Sequence, residues 1–411
     1  MASDASEPNV ITPAVAAGTE RSGRDGTSGE GSTAEGSTAE GSGATPGALG
    51  GSSPRYEIRG ATLIDEEQLL ALARHLNTVN LPDNRRSVHD LLQHAEESFA
   101  GKVSVAKRRY VFLLWDLEQG RAIGSSSIIA QLGRRDAPYI YFDVLDEERY
   151  SRSLDKHFHH TVLRLGFSYK GPTELGGLVV LPELRRSPER LGRFVSYSRF
   201  AFIAGRREAF RDQLLAELLP PLEPDGTSHL WEALGRRFTG LSYAEADILS
   251  SRDKDFIRDL FPLGEIHTSL FDDRARDVIG RVGEQTTGVE RLLRAVGFRY
   301  ARRVDPFDGG PHFVAPTEEV SLIRESRRVR LSGVLESAPP SEEDEPDGEA
   351  VVLRYLPSAP FARSLQGQFR WAEGGGVWLP EAICQHLQLQ VGADLVITPF
   401  PQRKEASEAL A

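Results

Sequence analysis

Residues 174–186, Glu-Leu-Gly-Gly-Leu-Val-Val-Leu-Pro-Glu-Leu-Arg-Arg, constrain this chain more than any other stretch. An apolar run with two embedded glycines opens into a Pro/Arg-rich turn, and a helix-like segment follows at about 189–218. Glycine inside a strand marks a bulge or a place where a ligand approaches the backbone closely. Arg185 and Arg186 at the strand-to-helix corner, with Arg190, Gly192 and Arg193 beyond, suit a pyrophosphate held at a helix N-terminus. A buried strand with a solvated basic turn would look similar, because strand–turn–helix units are common.

A second block shifts the balance. Val278-Ile-Gly-Arg-Val282 reads as a strand, Thr286 as an N-cap, and Val289, Leu292, Leu293 and Val296 fall at helical spacing. Gly297 is a C-terminal stop, after which Phe298-Arg-Tyr300 resumes an extended run. This order resembles the second half of the Gcn5-related N-acyltransferase fold, which binds acyl-coenzyme A. The likeness narrows further with Gly171-Pro-Thr-Glu-Leu, Arg199-Phe-Ala-Phe-Ile-Ala, Arg237-Phe-Thr-Gly-Leu-Ser-Tyr-Ala-Glu-Ala-Asp, Val278-Ile-Gly and Asp305-Pro-Phe-Asp-Gly-Gly-Pro311. In that order, from about Tyr56 to about residue 400, the chain resembles the arginine N-succinyltransferase family.

The resemblance implies an α/β fold with a mixed sheet, acyl-CoA N-acyltransferase-like, carrying a helical insertion at about 220–277 and a small C-terminal β-rich domain. The expected organisation is a disordered tail at 1–54, a catalytic domain at 55–335, an acidic linker at 336–350, an accessory domain at 351–402 and a tail at 403–411. Residues 1–54 contain Gly-Ser-Thr-Ala-Glu twice in succession and too little apolar surface to offset their ordering entropy. They carry net −5, and residues 342–349 carry net −6, which together account for the whole −11 of the chain. The acidity is therefore no binding face, and the missing basic footprint argues against nucleic acid. One cysteine, Cys384, excludes a disulfide framework and a thiolate metal site. With no membrane-length apolar run and no signal peptide, a cytoplasmic protein is expected.

Strands are expected at 56–59, 110–115, 122–130, 139–144, 161–169 and 174–181, helices at 65–76 and 87–99, and a turn at 81–83. In the insertion, Ser242-Tyr-Ala-Glu245 has the form of a capping box, a short helix covers 253–260, and Trp231, Phe238, Tyr243, Phe256 and Phe261 supply apolar mass. Packing, a dimer contact or a substrate lid are all open roles for it. After the linker, residues 377–380, a helix at 381–388 and a strand at 391–397 resemble the swapped hairpin of some dimerisation domains.

Direct acyl transfer needs an anchored pyrophosphate, a donor for the thioester carbonyl, a base for the amine, and optionally an acid for the thiolate. Arg185, Arg186, Arg190 and the amides near Gly192 are anchor candidates. The resemblance puts a succinyl-CoA contact at Leu178, through its main chain, with Gly176 and Gly177 leaving room. The family's proton-donating His falls on Gly283, which has no side chain to transfer a proton. Three accounts stay open: Glu284 or another side chain (His267 and His312 among them) takes over, the thiolate leaves unaided, or the chain keeps the fold without the activity. For a guanidinium acceptor, Asp305, Asp308 and Glu174 are the carboxylate candidates. The resemblance implies succinyl-CoA as donor, L-arginine or another amino acid such as ornithine as acceptor, no metal, and a homo-oligomer or a pairing with a paralogous chain.

Overall fold

The computed structural model describes residues 53–76, 84–135, 137–250, 254–335 and 345–401. The expected tails, the turn at 81–83 and most of the acidic linker lie outside these residues. Fifteen strands are present among them: β1 Tyr56–Gly60, β2 Arg109–Asp116, β3 Arg121–Ile129, β4 Tyr139–Ser151, β5 Lys156–Ser168, β6 Thr173–Val180, β7 Gln213–Glu217, β8 Glu265–His267, β9 Arg299–Val304, β10 Pro311–Pro316, β11 Arg327–Leu335, β12 Gly348–Tyr355, β13 Ala362–Trp371, β14 Val377–Pro380 and β15 Asp394–Pro399. The helices are α1 Glu66–Leu76, α2 Arg85–Phe99, α3 Leu191–Gly205, α4 Arg236–Thr239, α5 Tyr243–Ser250, α6 Asp255–Leu260, α7 Asp273–Val278, α8 Thr287–Ala295, α9 Ser321–Glu325 and α10 Glu381–His386. None of them is long and apolar enough to cross a membrane.

The larger half is a mixed sheet in the order β1-β2-β3-β6-β7-β10-β9-β4-β5-β8. Its neighbours are antiparallel except β6 and β7, which pair in parallel only at Thr173↔Leu214 and Glu174↔Leu215 and then diverge. The divergence begins where β6 bulges against β3, between the Ser125 and Ser127 pairings. Gly177 sits in the bulge at φ +57°, and a Cβ there would lie 3.0 Å from Ser127 Oγ. Only glycine takes that conformation without strain. The result is the split sheet of an acyl-CoA N-acyltransferase-like fold.

α3 leaves β6 and runs beneath the split. Nearly all of its residues are buried, from Leu191 and Phe194 to Phe202 and Ile203. A helix apolar all round must be covered all round. β3 and β6 cover one side, and β12, β15 and α9 cover another. Val351, Leu353, Val396 and Phe400 of the C-terminal segment thus share one core with Phe99, Tyr110, Phe112 and Phe202. Strands β12-β15-β11-β14-β13 close on themselves through the β12–β13 pairing and enclose a second apolar core of Val352, Leu365, Phe369, Val377 and Ile397. β13 also pairs with β1, joining this closed sheet to the larger one. β11 belongs to the closed sheet by its pairing, although it precedes the linker.

Three local expectations need correction. The helix expected at about 189–218 is α3 followed by β7: the chain leaves helical geometry at Arg206 (φ −141°), and Leu214, Leu215 and Ala216 are buried on both faces, as a central strand requires. The strand expected at 278–282 is the end of α7 and a turn. Asp272 caps α7 by accepting from Ala275 N, so Ala275 and Val278 become the buried face of a helix. Gly280 then turns at φ +73° and donates to Gly309 O. β4 and β5 run longer than their apolar cores suggest, because the outer half of this hairpin is polar on both faces and shows no alternation.

Candidate active site

A cavity of about 810 Å³ fills the split between β6 and β7. One end is lined by Gly176, Gly177, Leu178 and Val180 of β6, by Arg185, Arg186, Ser187, Arg190 and Gly192 before and within the first turn of α3, and by Thr286 and Val289 at the start of α8. Beyond Glu174, β6 has no strand partner on the β7 side, so its main chain borders the cavity. Arg190 precedes α3 in the left-handed region (φ 52°, ψ 49°), with no side chain capping the helix. The first amides of a helix have no intrahelical acceptor and attract anions. Ser187 Oγ is buried here without a hydrogen-bond partner. Arg185 Nε donates to Val180 O and braces the corner, while Arg193 is held by Glu349 and lies over Phe400. Arg186 and Arg190 are exposed at the mouth.

The other end is acidic. Glu174 of β6, Glu217 of β7, Asp247 of α5, and Asp305 and Asp308 after β9 all line it, with Tyr243, Ser250 and Lys254. The turn holding the two aspartates is built by their own carboxylates: Asp305 Oδ1 accepts from Phe307 N at 2.7 Å, and Asp308 Oδ1 from Gly310 N at 2.7 Å. Tyr243 OH lies 3.5 Å from Asp308 Oδ2. Burial raises every one of these carboxyls above its ordinary range, and the Asp305 charge adds to it at Glu174, Glu217, Asp247 and Asp308. Asp247 is pushed up to about 6 by burial and the Asp305 charge. Glu217 and Asp308 stand well above the usual carboxylate values.

Behind Glu217 sits His312, its antiparallel partner on β10. The imidazole is fully buried, its Nδ1 is 2.6 Å from Tyr139 OH, and its Nε2 is 3.5 Å from Glu217 Oε1. Burial lowers it to about 3, so it is neutral. Glu217, Asp305 and His312 bring potential ligand atoms within 4.8 Å of one another. A neutral imidazole and two carboxylates suit a small cation, whether an ammonium, a guanidinium or a metal ion.

The chain's relatives point the same way. The family model of the arginine N-succinyltransferase beta subunit matches residues 56–322. The chain belongs to this family. An arginine N-succinyltransferase of Escherichia coli O6:K15:H31 is 32% identical over 278 residues, covering 67% of this chain and 80% of the relative. The arginine N-succinyltransferase subunit beta of Pseudomonas aeruginosa is 33% identical over 350 residues, covering 84% and 99%. The solved arginine/ornithine succinyltransferase subunit AI of Pseudomonas aeruginosa superposes with a TM-score of 0.71 at 26% identity, covering 85% of this chain and all of that one.

Of the residues singled out in the sequence, Leu178, Gly177, Arg185, Arg186, Arg190 and Gly192 line one end of the cavity, and Glu174, Asp305 and Asp308 line the other. Glu284 does not join them: it is exposed at the first turn after Gly283 and lies off the cavity wall. His267 faces Glu147 on the outer hairpin, away from the cavity. Gly283, where the resemblance puts the family His, is buried, and its N–H donates to Leu219 O at 2.8 Å. A Cβ there would lie 2.6 Å from Pro220 O, so the 219–220 backbone occupies the space a side chain would use. Glu217, Asp247 and Lys254 went unrecognised in the sequence. Glu217 was hidden within an expected helix, and the other two sit in an insertion that gave no sign of facing a ligand.

Proposed function

We propose that this chain transfers succinyl from succinyl-CoA to the α-amine of L-arginine. The observation that carries the reading is the two-ended cavity, with anion-binding amides and arginines at one end and five carboxylates at the other. A thioester of coenzyme A fits the first end, its pyrophosphate on the α3 amides with Arg186 and Arg190, and its carbonyl against the β6 main chain at Leu178. A doubly cationic acceptor fits the second. The guanidinium is read by Asp305 and Asp308, whose rotamers are locked by their own turn amides. A cytoplasmic setting supplies both substrates.

Glu217 is the base. It ends β7 opposite the Gly176–Leu178 edge, it is not tied to a backbone amide as the two aspartates are, and its raised pKa brings it nearer the pH at which a base works best. The α-ammonium loses one proton to Glu217, and the free amine attacks the thioester carbon. The C–S bond then breaks as the amide forms, and one of the two remaining amine protons leaves with the thiolate or to water. A thiol pKa of about 8.5 makes the thiolate a tolerable leaving group, so a glycine at position 283 is compatible with turnover. The test is steady-state release of free coenzyme A from succinyl-CoA by the purified protein. L-Arginine-dependent release is expected, and release from no acyl-CoA with arginine or ornithine contradicts the reading.

A further inference from the structure

Arg199 is the one cavity-lining guanidinium whose surroundings are not explained by what the site already does. It lies on α3, about two and a half turns below the pyrophosphate corner, and is 2% exposed. Its hydrogen bonds are modest: Nε to Ser196 O at 3.3 Å, one terminal nitrogen to Ser196 Oγ at 3.0 Å, and the other to Gly176 O at 3.5 Å. No carboxylate among the described residues pairs with it, and burial alone pulls its pKa down, to about 9. Arg109, a less buried guanidinium, differs in having the Glu174 charge near it, which partly offsets its burial. An uncompensated buried guanidinium is costly to keep, and replacing buried charges by apolar side chains of similar size is often stabilising. A cation kept in such a place on the wall of a ligand cavity calls for an anion that arrives with the ligand.

The geometry points to Arg199 as the residue that reads the free carboxylate of a dicarboxylic acyl group, and so selects succinyl over uncharged acyl donors. This rests on the donor reading above. The guanidinium touches Gly176, two residues before Leu178, where the thioester carbonyl is placed. In a succinyl group the second carboxylate lies three single bonds from the thioester carbon, about 4 Å away, and a hydrogen bond of about 2.9 Å beyond it completes the two-residue rise from Leu178 to Gly176 (~6.6 Å). An acyl chain laid along β6 from Leu178 toward Gly176 therefore ends at Arg199. A planar guanidinium, which presents its donors in pairs, suits a carboxylate better than an ammonium does.

The test compares succinyl-CoA with butyryl-CoA, which differs in bearing a methyl where succinyl has its carboxylate, on wild type, Arg199→Met and Arg199→Lys. Two readouts are taken: kcat/KM for arginine-dependent release, and calorimetric affinity without acceptor. Wild type prefers succinyl-CoA in both. In Arg199→Met that preference falls about 100-fold, the scale of losing one partner of a buried charged hydrogen bond, and Arg199→Lys keeps part of it. The Met variant also loses the rise in Tm that succinyl-CoA gives to wild type. A preference unchanged in Arg199→Met, or both donors weakened equally, overturns the assignment in favour of a brace for the Gly176 carbonyl. Should wild type transfer to no acceptor, the function proposed above fails while calorimetry still decides the role of Arg199. If the Met variant does not fold, loss of preference in a folded Arg199→Gln decides it by the same ratio.

Discussion

At Gly283 a side chain has nowhere to go without moving the Leu219–Pro220 backbone. Gly283→Ala should therefore destabilise the fold by about 1–3 kcal/mol, the usual cost of overpacking, as measured by denaturant unfolding. Gly283→His should lower stability further and not raise turnover; a gain in activity would show that the backbone yields and that an acid is wanted there. The carboxylates make the opposite trade. Asp247 has its folded pKa raised from 3.8 to about 6, so the folded state binds the proton more tightly than the unfolded one. The stability this contributes is full below pH 3.8 and is lost as pH rises through about 6. The Tm of ligand-free Asp247→Asn should match wild type near pH 4, rise above it between about pH 4 and 6, and stay above; a constant difference would contradict the shift. Asp305→Asn should raise KM for arginine at least about tenfold, the scale of a charge-assisted hydrogen bond lost.

Among elements, β6 was the most legible because its two glycines interrupt an apolar run, and glycines there have few other uses. α1, α2 and β1 to β3 follow from periodicity that burial bears out. The Ser242–Glu245 capping box is formed, with Ser242 N and Oγ both donating to Glu245 at the start of α5. β7 was illegible since Leu214, Leu215 and Ala216 form an apolar run too short for periodicity to separate strand from helix. That one miss also hid Glu217. Asp305 and Asp308 were visible because a strand running into Asp-Gly-Gly-Pro must turn, and the turn places acids at the strand's end. Gly177→Ala tests the bulge: at φ +57°, against Ser127 Oγ, it should cost activity more than its modest loss of Tm explains.

On the scale of the molecule, the cavity exists because three regions distant in sequence meet at the split: the β6–α3 corner, the α5 insertion and the turn after β9. Local sequence pattern reports each region but not their meeting. The C-terminal closed sheet is part of the same body, since Val351, Leu353, Val396 and Phe400 complete the core around α3. Truncation after residue 344 should leave the remainder insoluble or unfolded, and a soluble, cooperatively unfolding fragment would contradict that packing. The measurement that tests the account most directly is competition between L-arginine and L-citrulline, its uncharged near-isostere, for succinylation by the wild-type protein, with products resolved by mass. The carboxylate end predicts that arginine is succinylated at least about 100-fold faster, the scale of one buried charged partner lost. Equal use of the two acceptors would contradict recognition of the guanidinium by Asp305 and Asp308.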